Sequence, residues 1–173
     1  RSRSRFTTIY ISRWSGILRD REGHLNLIHF LRSNTRKRLT VLAYLYSALY
    51  RFEIRFIKPK FLQKGWGIEG EESSEKEAPW KYRYAASVSG VVNRICNKTA
   101  WESKCLVRAL TAQKRLKQKG IGSTLYLGCG YAEDKMVAHA WLRCGELYVT
   151  GGDGAGYAVV DKFCVSDEKS LKK

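Results

Sequence analysis

The spacing of hydrophobic positions predicts three helices in the first two thirds of the chain. In the first, within residues 36–60, apolar side chains recur at i, i+3 and i+4, as in an amphipathic helix. These side chains are Leu39, Leu42, Ala43, Tyr46, Leu49 and Tyr50. A second such set predicts a helix that ends near Asn97, and its members are Ala85, Val88, Val91, Val92, Ile95 and Cys96. A third helix is predicted to end at Gly120, a typical helix stop, after Leu106, Ala109, Leu110 and Leu116.

The start of the third helix has two interpretations. Thr99 and Glu102 have the spacing of a capping box, in which both side chains satisfy free amides at a helix start. Ser103 is a competing N-cap residue, two positions before Cys105. The choice decides whether Cys105 lies in the first helical turn or deeper in the helix.

After Gly120 the pattern changes to short β-branched and aromatic runs separated by glycines. These runs predict four strands, at residues 123–129, 137–143, 146–150 and 157–163. Because the runs follow one another with short turns between them, we expect an antiparallel meander with the third helix packed across it. The predicted fold class is therefore α+β.

Composition divides the chain into five segments. Residues 1–34 show no sustained period and predict a basic arm of unknown structure, and residues 35–64 predict an amphipathic basic helical region. Residues 65–79 are rich in glycine and then in acidic side chains, which is typical of a linker. Residues 80–165 are the predicted core domain, and residues 166–173 are a charged tail.

Charge adds an expectation about partners. The chain has 32 Lys and Arg against 16 Asp and Glu, and residues 1–60 alone hold 14 basic and 3 acidic side chains. Such an excess favours an acidic peptide, a nucleic acid or an anionic membrane surface. The uncharged stretch from Leu39 to Tyr50 has 12 residues, fewer than the ~20 needed to span a bilayer. The first helix is therefore expected to pack on its own domain or a partner protein, or to lie on a membrane surface.

Composition also limits the class of protein. A hydrophobic fraction of 44% excludes a mainly disordered chain. The five cysteines form no CxxC pair, and their odd number does not indicate a closed disulfide framework or a zinc ribbon. We therefore expect reduced thiols and a cytoplasmic location. Peripheral contact with the inner face of the membrane is a further expectation. Neither a metal nor a cofactor is expected.

Three residues in the predicted core carry candidate chemistry. Cys105 lies at or near a helix start, His139 in the second strand, and Asp153 just after the third. A helix packed across the strands places its first thiol over the strand that carries the histidine. A helix N-terminus and an imidazolium both favour the thiolate, which is the nucleophilic form of cysteine. Asp153 is then expected to accept a hydrogen bond from the far ring nitrogen of His139.

Each of these residues also has a structural interpretation. Asp153 lies in the run GGDGAG, and Asp is common in turns because it bonds its own backbone. A lone Cys and a lone His in one domain are usually structural. Spacing alone therefore leaves the Cys–His site open.

Several short sequence blocks, taken in their order along the chain, resemble a known family. Residues 101–110 (WESKCLVRAL), 122–128 (GSTLYLG) and 138–145 (AHAWLRCG) are similar to the lasso-peptide biosynthesis B proteins, most closely to the stand-alone leader-peptidase type. The resemblance covers about residues 36–164 and is carried mainly by WESKCL and AHAW in that order. It implies a papain-like, transglutaminase-like core.

The resemblance also implies a function. Cys105 corresponds to the nucleophile and His139 to the base of a cysteine peptidase that removes the leader from a ribosomally made lasso precursor. Some members have an acid where this chain has Gly151, so Asp153 is the choice by register. The implied partners are the precursor peptide, a separate leader-recognition protein and an ATP-dependent macrolactam synthetase.

Two other functions remain open from the sequence. An acyl transferase or transglutaminase of the same fold uses the same thioester but admits an amine instead of water. A non-catalytic basic protein binds nucleic acid or membrane, although no nucleic-acid-reading motif is evident and nucleic acid is not an expected partner.

Overall fold

The computed structural model describes residues 36–99, 101, 103–133 and 135–167. The predicted arm at 1–34 and most of the predicted tail lie outside the described residues. The described residues contain four helices: α1 (Lys37–Phe56), α2 (Pro59–Gln63), α3 (Pro79–Cys96) and α4 (Cys105–Lys117). Both prolines of the chain begin a helix, where a missing backbone N–H has no cost.

One antiparallel sheet contains every described strand. The strands are β1 (Ile68–Glu69), β2 (Ser123–Ala132), β3 (Lys135–Cys144), β4 (Leu147–Thr150) and β5 (Ala158–Val165), in the order β1-β5-β2-β3-β4. The predicted strands are confirmed, and β2, β3 and β4 form the expected meander. The prediction is wrong for β5, which crosses back to pair with β2. That pairing places Phe163 opposite Leu125, and both side chains are buried in the core.

The core lies between the helices and one face of the sheet. Helices α3 and α4 pack on each other, and α4 packs on β2, β3 and β4. Side chains on a strand alternate between faces, so every second residue of β3 faces this core. These residues are Ala140, Leu142 and Cys144, which join Val88 of α3 with Leu110 and Leu116 of α4.

The segment 65–79, which was predicted to be a linker, packs on the sheet and is not a linker. Trp66 is buried and packs edge-on against Phe163, with ring centroids 5.3 Å apart. Gly67, at φ +129°, lies so close to the Cys164 carbonyl that a Cβ would collide with it. Ser73 donates its backbone N–H to Thr124 Oγ1 at 2.8 Å. The sequence interpretation failed because one buried tryptophan anchors an otherwise polar segment to the sheet.

Glu72 fastens the same segment to the opposite face of the sheet. Its carboxylate accepts hydrogen bonds from Lys162, Tyr126 and Arg143 at 2.8–3.0 Å. The hydrogen bond from Lys162, then that from Tyr126 and the nearby Arg143 charge, hold the pKa of Glu72 below its usual range. The side chain is 41% exposed, so water screens much of this interaction.

Replacing Glu72 is expected to make stability less dependent on pH. A carboxyl with a lowered folded pKa stabilises the fold above its unfolded pKa, and this contribution is lost as the pH falls through the folded pKa. Glu72→Gln should therefore lower the free energy of unfolding by about 1 kcal/mol at pH 7. The difference should shrink as the pH falls through the lowered pKa of Glu72. Urea titrations at pH 7 and at successively lower pH measure it, with the exposed Glu75→Gln as control. Equal losses in both variants would contradict the assignment.

Helix α1 buries one side and exposes the other. Leu39, Ala43 and Ser47 are buried at i, i+4 and i+8. The predicted helix is confirmed and continues beyond Tyr50 to Phe56, but of its six predicted core positions only Leu39 and Ala43 are fully buried. No helix in the described part of the chain combines the length and apolar character that a membrane crossing requires.

Candidate active site

Cys105 is the first residue of α4. The helix has Lys104 as its N-cap residue, with no hydrogen bond from that side chain to a helix amide. The capping box predicted at Thr99 is wrong, and the later start near Ser103 is correct to within one residue. Cys105 therefore lies in the first turn, where the partial positive charge of the helix end is strongest.

The loop before Cys105 is held by its own side chains. Thr99 Oγ1 lies 2.9 Å from Ser103 Oγ and 3.0 Å from the Trp101 carbonyl oxygen. Arg108 Nε, one turn into α4, donates to the Ser103 carbonyl at 2.9 Å. These bonds use the Thr99 hydroxyl inside the loop, which explains why it does not cap the helix. They also hold the backbone that leads into Cys105.

The five cysteines fall into two groups. Cys96, Cys144 and Cys164 are buried, and burial raises the pKa of each thiol, that of Cys144 to about 12. Cys105 and Cys129 are only half-buried. Among the described residues, no cluster of three or more His, Cys, Asp or Glu side chains could hold a metal ion.

This difference predicts the order of thiol alkylation. In the folded protein at pH 7.5, iodoacetamide is expected to modify Cys105 and Cys129, while the three buried thiols react at least about 100-fold more slowly. Peptide mass spectrometry after timed quenching measures each rate. In guanidinium chloride all five rates should converge, and fast labelling of Cys144 without denaturant would contradict the described burial.

His139 is oriented by a backbone carbonyl. Its Nε2 lies 2.7 Å from the Gly151 oxygen. A carbonyl only accepts hydrogen bonds, so Nε2 must be the donor, and the proton assignment follows from this contact. In the neutral ring Nδ1 is then unprotonated, which is the form a general base requires.

Aromatic rings hold the imidazole in place. Tyr157 stacks on His139 with centroids 4.6 Å apart, and Trp141 lies 5.9 Å away at an interplanar angle of 20°. Trp141 is buried and stacks in turn on Tyr126 at 5.4 Å. A Cβ on Gly128 would come within 2.8 Å of the Trp141 ring, so this glycine makes room for it. The imidazole thus rests on a packed aromatic cluster.

Asp153 does not form the expected hydrogen bond with His139. Its Oδ1 accepts the backbone N–H of Ala155 at 3.0 Å, an Asx turn within the loop between β4 and β5. The Gly151 carbonyl occupies the position that the acid was expected to fill. Gly151 has φ +80°, and a Cβ there would lie 2.5 Å from the Ala140 carbonyl oxygen. This backbone therefore excludes an acidic side chain at position 151.

The described structure contains no hydrogen bond between Cys105 and His139. On β3, His139 alternates with Ala140 and so points away from the face that packs on α4. Because Cys105 is the terminal residue of α4, a Cys105–His139 pair must form past the end of the helix and not across the core. Hydrogen bonds between catalytic groups are often long without substrate. Their pairing stays a prediction.

Residues 62–162 match the transglutaminase-like superfamily. The match covers more than half of the 173-residue chain, and the protein belongs to this superfamily. No curated protein and no solved structure matches the chain. Members of the superfamily generally act as cysteine peptidases or acyl transferases. The predicted fold, a cysteine-bearing helix on an antiparallel sheet, is confirmed, and the match starts before the predicted core boundary at residue 80.

Proposed function

We propose that the protein is a cysteine peptidase that removes the leader from a ribosomally synthesised lasso precursor peptide. The observation that supports the peptidase assignment is a transglutaminase-like domain with Cys105 at a helix start. We propose that His139 of β3, whose Nε2 donates to the Gly151 carbonyl, is the base. The choice of substrate is supported by the similarity of the WESKCL and AHAW blocks to the lasso B proteins.

In the first step, the Cys105 thiolate attacks the carbonyl carbon at the junction of leader and core. A C–S bond forms, and the carbonyl oxygen becomes an oxyanion. The Lys104 side chain does not cap α4, and the first backbone amides of the helix are the proposed donors to this oxyanion. The His139 imidazolium protonates the departing nitrogen as the C–N bond breaks, and the core leaves with a free amine.

In the second step, water replaces the sulfur. His139, now neutral, removes a proton from water through Nδ1 while the oxygen attacks the thioester carbonyl. The C–S bond breaks, and the leader leaves with a carboxylate. The Gly151 carbonyl accepts the Nε2 hydrogen bond in both steps. This contact keeps Nδ1 as the nitrogen that gives up and takes up the proton. Neither step uses a metal or an organic cofactor.

The similarity to the lasso B proteins supports three partners. A separate leader-recognition protein presents the leader. The precursor supplies both leader and core. An ATP-dependent macrolactam synthetase consumes the new amine of the core when it closes the ring.

Mass spectrometry of a precursor incubated with the full chain and the leader-recognition protein tests the function. Hydrolysis yields a leader with a free carboxylate and a core with a free amine. With an added primary amine, an acyl transferase would instead yield a leader amide of different mass. An unchanged precursor under conditions where the three components bind would overturn the enzymatic assignment.

A further inference from the structure

The outer face of α1 carries an exposed apolar stripe. Its members recur at i+4 or i+3 along the helix, and each is 44–69% exposed. They are Val41, Leu45, Leu49, Phe52 and Phe56. On α2, Phe61 is 62% exposed and adds a further apolar side chain. The buried residues Leu39, Ala43 and Ser47 lie on the opposite side of α1, so packing within the domain does not explain the stripe.

Basic side chains accompany this stripe. Residues 36–64 contain eight Lys or Arg and one acidic residue, Glu53. By helical spacing, Lys37 and Arg55 lie beside the stripe, and Lys58 and Lys60 follow it towards α2. A helix with apolar aromatic side chains on one face and cations along its border is typical of membrane-surface segments. The long basic side chains reach lipid phosphates while the apolar residues enter the acyl boundary.

Charge disfavours a second copy of the chain on this face. A second copy would bring the same basic surface against itself. An anionic surface neutralises the excess.

We propose that the stripe of α1, continued by Phe61 of α2, docks the protein on an anionic lipid surface. Helix α1 then lies in the plane of the membrane, while Leu39 and Ala43 on its buried side stay in the hydrophobic core. This places the peptidase domain at the bilayer surface without a membrane-spanning segment in the described residues.

Vesicle co-sedimentation of the full chain tests this proposal. The probes are vesicles of phosphatidylcholine alone and vesicles with 30 mol% phosphatidylglycerol. Leu45→Ser/Phe52→Ser removes two exposed apolar side chains, and we expect at least about a tenfold drop in partition onto the anionic vesicles. Tyr131→Ser/Met136→Ser, at the exposed tip of the β2–β3 hairpin, removes a comparable pair as control and should bind like the wild type.

A second pair of variants tests the charge. Arg55→Gln/Lys58→Gln should weaken binding to anionic vesicles by about tenfold, and Lys117→Gln/Lys135→Gln removes the same charge elsewhere as control. Equal losses in the two charge variants would indicate adsorption by net charge and would overturn the proposal. Unchanged binding of the stripe variant, equal binding to neutral vesicles, or a wild-type dimer that the stripe variant abolishes would overturn it as well.

Discussion

Cys105→Ala is expected to lower kcat for precursor cleavage by ~10⁴-fold or more. Removing the sulfur removes the atom that becomes bonded to the leader, and no other group in the proposed mechanism can replace it. Alanine is well tolerated in a first helical turn, and Cys105 is only half-buried, so the fold should persist. Single-turnover cleavage measures the loss, and anisotropy of a labelled precursor should show unchanged binding.

Cys129→Ala is the matched control for this prediction. Cys129 is the other half-buried thiol, and it lies on β2 next to the partner of His139. We expect its kcat within about threefold of the wild type, since truncating a partly exposed side chain away from the chemistry has a small effect. Cleavage by Cys105→Ala at near wild-type rate, or complete loss in Cys129→Ala, would remove Cys105 as the nucleophile.

Gly151→Ala is expected to lower kcat by at least about 100-fold. The added Cβ would lie 2.5 Å from the Ala140 oxygen, so the backbone must move, and the carbonyl that holds His139 moves with it. Gly152→Ala is the control because Gly152 also has a positive φ, of +73°, but its Cβ meets nothing within 4 Å. Thermal unfolding of both variants separates lost stability from lost orientation, and equal kcat losses would contradict the role of the carbonyl.

Asp153→Asn tests whether the Asp153 carboxylate, in addition to the Gly151 carbonyl, supports His139. Asparagine keeps an oxygen that accepts the Ala155 N–H, so the turn is preserved while the charge is removed. If Asp153 only shapes the turn, kcat should stay within about threefold of the wild type. If it stabilises the His139 imidazolium, a loss of about 10³–10⁴-fold is expected. This test remains decisive even if Gly151→Ala fails to fold.

The hydrophobic pattern located the long elements because each of them buries one face. The sets that include Val88 on α3 and Leu110 on α4 are both in the core. The two-residue β1 and the five-residue α2 are too short to produce a period. The hydrophobic pattern also could not predict that β5 lies beside β2, because strand order depends on long-range pairing that spacing does not encode.

The candidate site was only partly accessible to sequence reasoning. Cys105 and His139 could be selected because their side chains carry recognisable chemistry. The Gly151 carbonyl could not, since a backbone oxygen has no signature among residue types. The one usable signal was the glycine run around Asp153, which indicated a tight turn and left a structural role for that aspartate open. The pattern did not predict the burial of Trp66, because the residues around it are mainly glycines and acids and form no hydrophobic period.

Tyr44 joins the exposed helix to the loop that precedes the nucleophile. Its ring packs edge-on against Trp101 at 4.9 Å, and Trp101 lies four residues before Cys105. Any displacement of α1 on a lipid surface that moves Tyr44 must therefore repack Trp101. If the proposed lipid docking and precursor cleavage both occur, lipid affinity and precursor affinity are thermodynamically linked. Vesicles are then expected to change precursor binding by the same factor as precursor changes vesicle binding.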